Sequence, residues 1–379
     1  MDNKKRSKLL VVDDSAFMRK LISDFFADHL QIEVVGSARN GKDAIKKIQQ
    51  LKPDVVTMDV EMPEMNGLDA LKEIMQVCPV PVVMLSSTTQ QNAENTLTAI
   101  EYGAVDFVAK PSGTISLDLH KVQEELVHKV IEAAQIPIAK LKSPNNRIAT
   151  LKADPIKPMK TEATILSTPK KFSTTIEKTS NKVDWSKASK KIILIGTSTG
   201  GPRALQEVIT KIPANIDAPI LIVQHMPAGF TKSLATRLDQ LSEIHVKEAE
   251  LGDILQKGTA YIAPGGYHLK IRKVGATFAV VLDQTEPPRS GHRPSVDVMF
   301  EDVSQYPEFD KVAVIMTGMG YDGSKGLITL KKTGNVIAIA ESAETCIVYG
   351  MPKAAVETQL VDEVADVDDI AQTIMKYMP

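Results

Sequence analysis

The chain has only two cysteines, Cys78 and Cys346, among its 379 residues. Set far apart, they make neither a disulfide framework nor a metal cluster, and a reducing, cytoplasmic setting is the simple expectation. No apolar run approaches the ~20 residues that a membrane helix needs. The N-terminus "MDNKKRSK" passes straight into a strand-like "LLVVDD" with no secretory apolar core. Neither membrane insertion nor secretion is expected. A strong charge of either sign is also missing, since a formal net charge of −2 argues against a generally basic nucleic-acid binder. What remains, 43% hydrophobic and 24% charged residues, is an ordinary globular composition. The length favours two domains.

Over the first ~125 residues, short apolar runs alternate with amphipathic segments, the pattern of a parallel sheet with crossover helices. "KLLVV", "IEVVGSA", "PDVVTMD", "PVVMLSS" and "VDFVAK" read as strands. From about residue 137 the character changes. Residues 140–191 carry 13 Lys/Arg against 4 Asp/Glu, with scattered apolar residues and almost no aromatics. That composition reads as a flexible, basic tether; the scarcity of stacking aromatics argues against a nucleic-acid arm. Order resumes at "KIILIG", and the strand-like "APILIVQH", "KVAVIMTG" and "NVIAIAES" alternate with helical patterns. Between them, "TAYIAPGGYHLKIRKVGATFAVVLD" reads as an antiparallel excursion. The expected fold class is α/β throughout, with a five-stranded parallel sheet first and a doubly wound, mostly parallel sheet second.

In an open parallel sheet, chemistry gathers at the carboxyl ends of the strands. Asp13 and Asp14 follow the first strand and Asp59 ends the third. Three carboxylates brought together repel unless a hard cation neutralises them, and oxygen ligands suit Mg²⁺. Ser86 and Lys110 end the next two strands and add a hydroxyl and an ammonium to the same rim. Each alone reads as an ordinary loop or strand-end residue; together they suit phosphoryl transfer onto a carboxylate. "VVDDS", "TMDVEMPEMNGLD", "MLSS" and "FVAKP" resemble the receiver domain of two-component response regulators, across residues 8 to 125. That resemblance implies a flavodoxin-like fold and Asp59 as phosphoacceptor. It also implies Mg²⁺ held by Asp13, Asp14, Asp59 and the Glu61 backbone carbonyl, with Ser86, Lys110 and Phe107 sensing the phosphate. The Lys110–Pro111 bond is expected to be cis.

In the second domain, "IGTSTGG" (195–201) sets Ser198 among glycines between an apolar run and a helix opened by Pro202. This geometry suits a nucleophile beside an oxyanion and a bound phosphate equally well. A nucleophilic serine needs a base and an orienter. Of seven histidines, four follow Ser198: His225, His245, His268 and His292. His225 ends the apolar run "APILIVQH" and therefore emerges on the serine's rim. Asp322 lies in the glycine-rich loop "TGMGYDG" after another strand, where the Met319 amide is available to an oxyanion. The order Ser, His, Asp is not that of an α/β-hydrolase, in which histidine comes last.

"IGTSTGGP", "QHMPAGFTKSLATRL", "YIAPGGYH", "RPSVDVMF", "TGMGYDG" and "YGMPKAA" resemble the catalytic domain of chemotaxis protein-glutamate methylesterases, over residues 191 to about 365. The implied division is a receiver over 1–128, a linker over 129–188 and a catalytic domain over 189–379. The implied triad is Ser198, His225 and Asp322; Thr199 and Met319 are the candidate oxyanion donors beside it. The implied activity is a phosphorylation-activated serine esterase that removes methyl groups from receptor glutamates and deamidates receptor glutamines, with no cofactor for hydrolysis itself. The implied partners are cytoplasmic helices of methyl-accepting chemoreceptors and a chemotaxis histidine kinase, and nucleic acid is not among them. The alternative from another class is a receiver-bearing adaptor with a catalytically silent second domain.

Overall fold

The structure, a computed structural model, describes residues 6–87, 89–110, 116–141, 185 and 189–378. The expected cis bond at Lys110–Pro111 and most of the linker lie outside the described residues.

The first domain alternates β1 (Ser7–Val12), α1 (Ala16–Phe25), β2 (Ile32–Ala38), α2 (Gly41–Leu51), β3 (Val55–Asp59), α3 (Gly67–Val77), β4 (Val82–Ser86), α4 (Gln90–Tyr102), β5 (Asp106–Ala109) and α5 (Ser116–Ala133). The strands pair in parallel in the order β2-β1-β3-β4-β5. Their near-continuous apolar sequences follow from burial on both faces, with helices covering each side. Short polar residues start the helices: Ser15, Asn40, Asn66 and Thr89 each accept a first-turn backbone N–H through the side chain. The domain's packing continues past residue 128, where the linker was expected to begin. Helix α5 runs to Ala133, and Ile136 and Leu141 are buried with Leu126 and Val130 in the same core.

The second domain carries a seven-stranded, wholly parallel sheet in the order β14-β13-β12-β6-β7-β9-β8. Its strands are β6 (Lys190–Thr197), β7 (Ile220–Gln224), β8 (His245–Glu248), β9 (Thr259–Ile262), β12 (Phe309–Ile315), β13 (Val336–Glu341) and β14 (Glu363–Ala365). Only β10 (His268–Val274) and β11 (Thr277–Asp283) form the antiparallel pair. The "TAYI" at the start of the expected excursion is β9, paired in parallel with β7 and β8. The helices are α6 (Gly201–Ile209), α7 (Phe230–Leu241), α8 (Val296–Ser304), α9 (Ser324–Lys331), α10 (Met351–Glu357) and α11 (Val367–Met375).

The two domains share apolar surface. Leu97 and Ile100 of α4 join Leu234 and Leu238 of α7 in one continuous core. Met319, Ile347 and Val348 pack on the core beneath α5. The seam thus runs along the rim where the second sheet's strands end.

Candidate active site

On the first domain's rim, Asp13, Asp14 and Asp59 each bring a carboxylate oxygen within 4.8 Å of the others. Asp13 and Asp59 are buried and Asp14 is exposed. The Lys110 ammonium bridges the buried pair, 2.9 Å from Asp13 Oδ2 and 2.7 Å from Asp59 Oδ2. Burial lifts the Asp59 carboxyl to about 6, even though the Lys110 contacts pull it down. A hard-oxygen donor set with one exposed member fits a divalent cation such as Mg²⁺. The Glu61 N–H lies 3.4 Å from Asp59 Oδ1. Ser86 is buried, and its hydroxyl is engaged by α4: Thr96 Oγ1 stands 2.8 Å away and the Asn92 carbonyl 3.3 Å. Phe107 is also buried, 2% exposed, and faces the other domain rather than solvent.

On the second rim, Thr197 pairs with Gln224 at the adjoining ends of β6 and β7, so Ser198 and His225 leave neighbouring strands side by side. Gln224 staples the two loops: its amide donates to the Ser198 carbonyl at 3.0 Å and to the His225 carbonyl at 3.1 Å, and its oxygen accepts the Thr197 hydroxyl. The chain then turns into α6 through Gly200, at φ 78°, a conformation that favours glycine. The strand–turn–helix placement expected for Ser198 is present.

From the other side of β6, the loop after β12 closes on the serine. The Ser198 N–H donates to the Thr317 carbonyl at 3.0 Å. A Cβ at Gly318 would lie 2.8 Å from Ser198 Cβ, so only glycine lets the loop approach. Asp322 closes the constellation: its Oδ2 accepts the His225 Nε2–H at 2.8 Å. The N–H groups of Val296 and Asp297, at the start of α8, donate to Asp322 at 2.7 and 2.9 Å, and the Ser295 hydroxyl adds a bond at 2.8 Å. Burial alone would raise this carboxyl, but His225 and the helix N–H groups hold it well below the usual range. Asp297 reciprocates at α9, accepting from Gly323 and Gly326 at 2.9 and 2.6 Å. Burial and the charge of Asp322 push it up to about 6.

The other ring nitrogen, His225 Nδ1, is buried and has no hydrogen-bond partner among the described residues. No hydrogen bond joins it to Ser198 in this arrangement. Of the other histidines, His245 pairs with Asp239 in solvent, and buried His268 meets the Pro287 carbonyl.

The seam places one receiver strand against both catalytic loops. Asp106, which opens β5, accepts the Thr199 hydroxyl at 2.5 Å. Its neighbour Phe107 stacks on Phe230, at the start of α7, with ring centroids 4.6 Å apart. Lys129 of α5 backs this contact, bonding Asp106 at 3.2 Å and the Phe107 carbonyl at 2.7 Å. Burial opposes its charge, but Asp106 and Glu125 hold it above the usual range. Lys140, just past α5, donates to the Ala343 and Cys346 carbonyls at 2.7 Å each. Arg237 of α7 pairs with Glu101 of α4. Sequence reasoning missed Gln224, Asp106, Lys129 and Lys140, because their partners are remote in the chain. Asp106 did carry one signal, standing beside a residue already singled out.

A carboxylate-and-lysine rim in a five-stranded receiver fold, seamed to an α/β domain with a Ser–His–Asp rim, defines a class: a receiver coupled to a hydrolase-type domain. The comparisons agree. The response regulator receiver domain family matches residues 9–122, and the CheB methylesterase family matches residues 193–374. A protein-glutamate methylesterase/protein-glutamine glutaminase of Geobacillus kaustophilus is 52% identical over 374 residues, covering 99% of this chain and 99% of its own. The protein of that name from Bacillus subtilis is 50% identical, covering 97% of each chain. Among solved structures, the Thermotoga maritima CheB methylesterase catalytic domain is 43% identical; it covers 50% of this chain and 99% of its own, with a TM-score of 0.48. The chain belongs to the protein-glutamate methylesterase/protein-glutamine glutaminase family. No described helix is long and apolar enough to cross a membrane.

Proposed function

We propose that this chain is a serine esterase that removes methyl groups from glutamate γ-methyl esters on cytoplasmic helices of methyl-accepting chemoreceptors, under control of its own receiver. The contact that carries the reading is His225 Nε2 to Asp322 Oδ2 beside Ser198. Ser198 Oγ attacks the ester carbonyl as its proton passes to His225 Nδ1. Asp322 holds the ring through Nε2 and stabilises the imidazolium that forms. The Thr199 and Met319 amides receive the oxyanion. Methanol departs with the proton from His225 and leaves an acyl-serine; water, deprotonated by His225, cleaves it to glutamate. A glutamine side chain follows the same steps and releases ammonia, which gives the deamidase activity.

In the receiver, Asp59 accepts the phosphoryl group from a chemotaxis histidine kinase. Asp13, Asp14, Asp59 and the Glu61 carbonyl would hold Mg²⁺, which offsets the charge gathered there. Lys110, Ser86 and Phe107 respond. Ser86 must leave Thr96 to reach a phosphoryl oxygen, and the movement of α4 and β5 that follows loosens the contacts of Phe107 and Asp106 with the catalytic loops. The unphosphorylated receiver covers the Ser198 rim against a bulky receptor helix. We divide the chain into a receiver from residue 1 through about Leu141, the linker that follows, and a catalytic domain from 189, acting in the cytoplasm. Methanol release from methylated receptor membranes, with and without a phosphodonor, tests the reading. A chain that binds receptors but releases no methanol in either state would be an adaptor.

A further inference from the structure

One stretch, Arg289 to Asp297, touches both partners of the serine. Its later half holds Asp322. Its earlier half is a tight turn in which Arg289 and His292 exchange backbone hydrogen bonds at 3.0 and 2.9 Å, with Ser290 and Gly291 at φ 52° and 84°. Two positive-φ corners make a mirror-image turn with a defined exit direction. Arg289 is anchored by Glu286 at 2.7 Å and by Glu301 of α8, and the Arg293 carbonyl accepts the Gly266 N–H at 2.9 Å. The anchored turn lays the His292 ring face to face with His225, with centroids 3.8 Å apart and planes 9° from parallel.

We propose that His292 is a positioning residue for the base: its flat, neutral ring keeps His225 in plane with Ser198 and steadies the imidazolium during attack. The proposal rests on the reading of Ser198, His225 and Asp322 given above. Asp322 grips His225 at one atom only, and Nδ1 has no partner, so the ring retains a pivot about Nε2. A second ring stacked at van der Waals distance removes that pivot and excludes water from one face. When His225 takes the serine's proton, the electron-rich face of a neutral aromatic ring attracts the new charge. A protonated His292 would repel it. The surroundings keep His292 neutral: burial pushes its pKa down to about 3, the charge of His225 and that of Lys129 act in the same sense, and Asp322 opposes them.

The test compares His292→Ala and His292→Phe in the full chain with phosphodonor, on methylated receptor membranes, with Ser198→Ala as control. His292→Ala is expected to lower kcat by about 10- to 100-fold through misplacement of the base, with KM unchanged within about twofold. Labelling of Ser198 by a fluorophosphonate should slow in step. His292→Phe, which restores a flat face without ring nitrogens, is expected to recover kcat to within about threefold of the parent. The proposal is overturned by an Ala variant with unchanged kcat, by an effect confined to KM, or by a folded Phe variant as slow as Ala, which would give the ring nitrogens a chemical role. If His292→Ala does not fold, the Phe variant alone decides. Turnover by Ser198→Ala would instead sink the serine reading itself, independently of His292.

Discussion

The Thr199 hydroxyl donates to the Asp106 carboxylate at 2.5 Å, joining the residue after the candidate nucleophile to the receiver strand that carries Phe107. Asp106 is 8% exposed and keeps a second bond to Lys129, so the Thr199 contact is a buried, charge-assisted hydrogen bond across the seam. Bonds of this kind contribute about 1.5–3 kcal/mol. Thr199→Val removes the donor and leaves Asp106 paired with Lys129. Basal methanol release without phosphodonor is expected to rise by about tenfold for that loss, because the closed arrangement loses a contact that the open one never had. A variant as dependent on phosphodonor as the parent would count against the pinning role.

Removing the receiver should have the same sense. Trp185 is 6% exposed and lies against Tyr377, with ring centroids 5.8 Å apart, so a fragment must begin before Trp185 to keep this contact. Such a fragment should turn over receptor esters faster than the unphosphorylated full chain and ignore phosphodonor. Equal or slower turnover would mean that the receiver activates the site directly and does not cover it.

Ser198→Ala should abolish ester hydrolysis while the thermal melt stays within a few degrees of the parent, since the change is small. His225→Ala should cost nearly as much, and the double variant hardly more than either single one, because the groups act as a unit. Additive losses in the two single variants would argue against a shared relay.

Asp59→Asn preserves shape and removes the attacking carboxylate, so a small-molecule phosphodonor should leave no label on the protein. Excess EDTA should abolish labelling of the parent, because three clustered carboxylates need a cation to admit a phosphoryl group. Normal labelling in either case would remove Asp59, or the metal, from the assignment.

The neutral His292 makes a signed prediction about stability. Its pKa is about 3 in the fold, chiefly through burial, against 6.5 as its ordinary value. Between these values the unfolded chain binds the extra proton, so this group's contribution to stability is full above pH 6.5 and is lost as pH falls toward 3. At about pH 5 the loss amounts to roughly 2 kcal/mol. Urea melts of the parent and of His292→Phe at about pH 7.5 and 5 should therefore show a smaller acid-side loss for the variant; identical losses would place the ring in a less buried setting.

Much of the site was legible because a parallel sheet puts chemistry at strand ends, and strand ends show in the sequence as the last residue of an apolar run. Asp59, Ser86, His225 and the Ser198 turn were all found that way. Edge strands β8 and β14 span four and three residues, too short for a period to declare itself. Helix α8 stayed hidden because its first five residues, "VDVMF", are all buried and leave no exposed face at its start. His292 stood among four candidate histidines with nothing local to set it apart; only the fold brings its ring over His225. The direction of the Ser86 hydroxyl depends on Thr96, ten residues away on a helix whose rotation no pattern records.

The strand β5 faces two ways, with Asp106 and Phe107 against Thr199 and Phe230 and Lys110 just beyond its end against Asp59. Such a strand carries influence in both directions by the same factor. If the receiver covers the Ser198 rim as proposed, an occupant of that rim displaces β5 and favours the receiver arrangement that holds a phosphoryl group. At equilibrium with a phosphodonor, a molecule engaged on its receptor should therefore be phosphorylated to a greater extent than an idle one. Under the proposed coupling, the receiver would register the methylated receptor within reach as well as the phosphodonor's output.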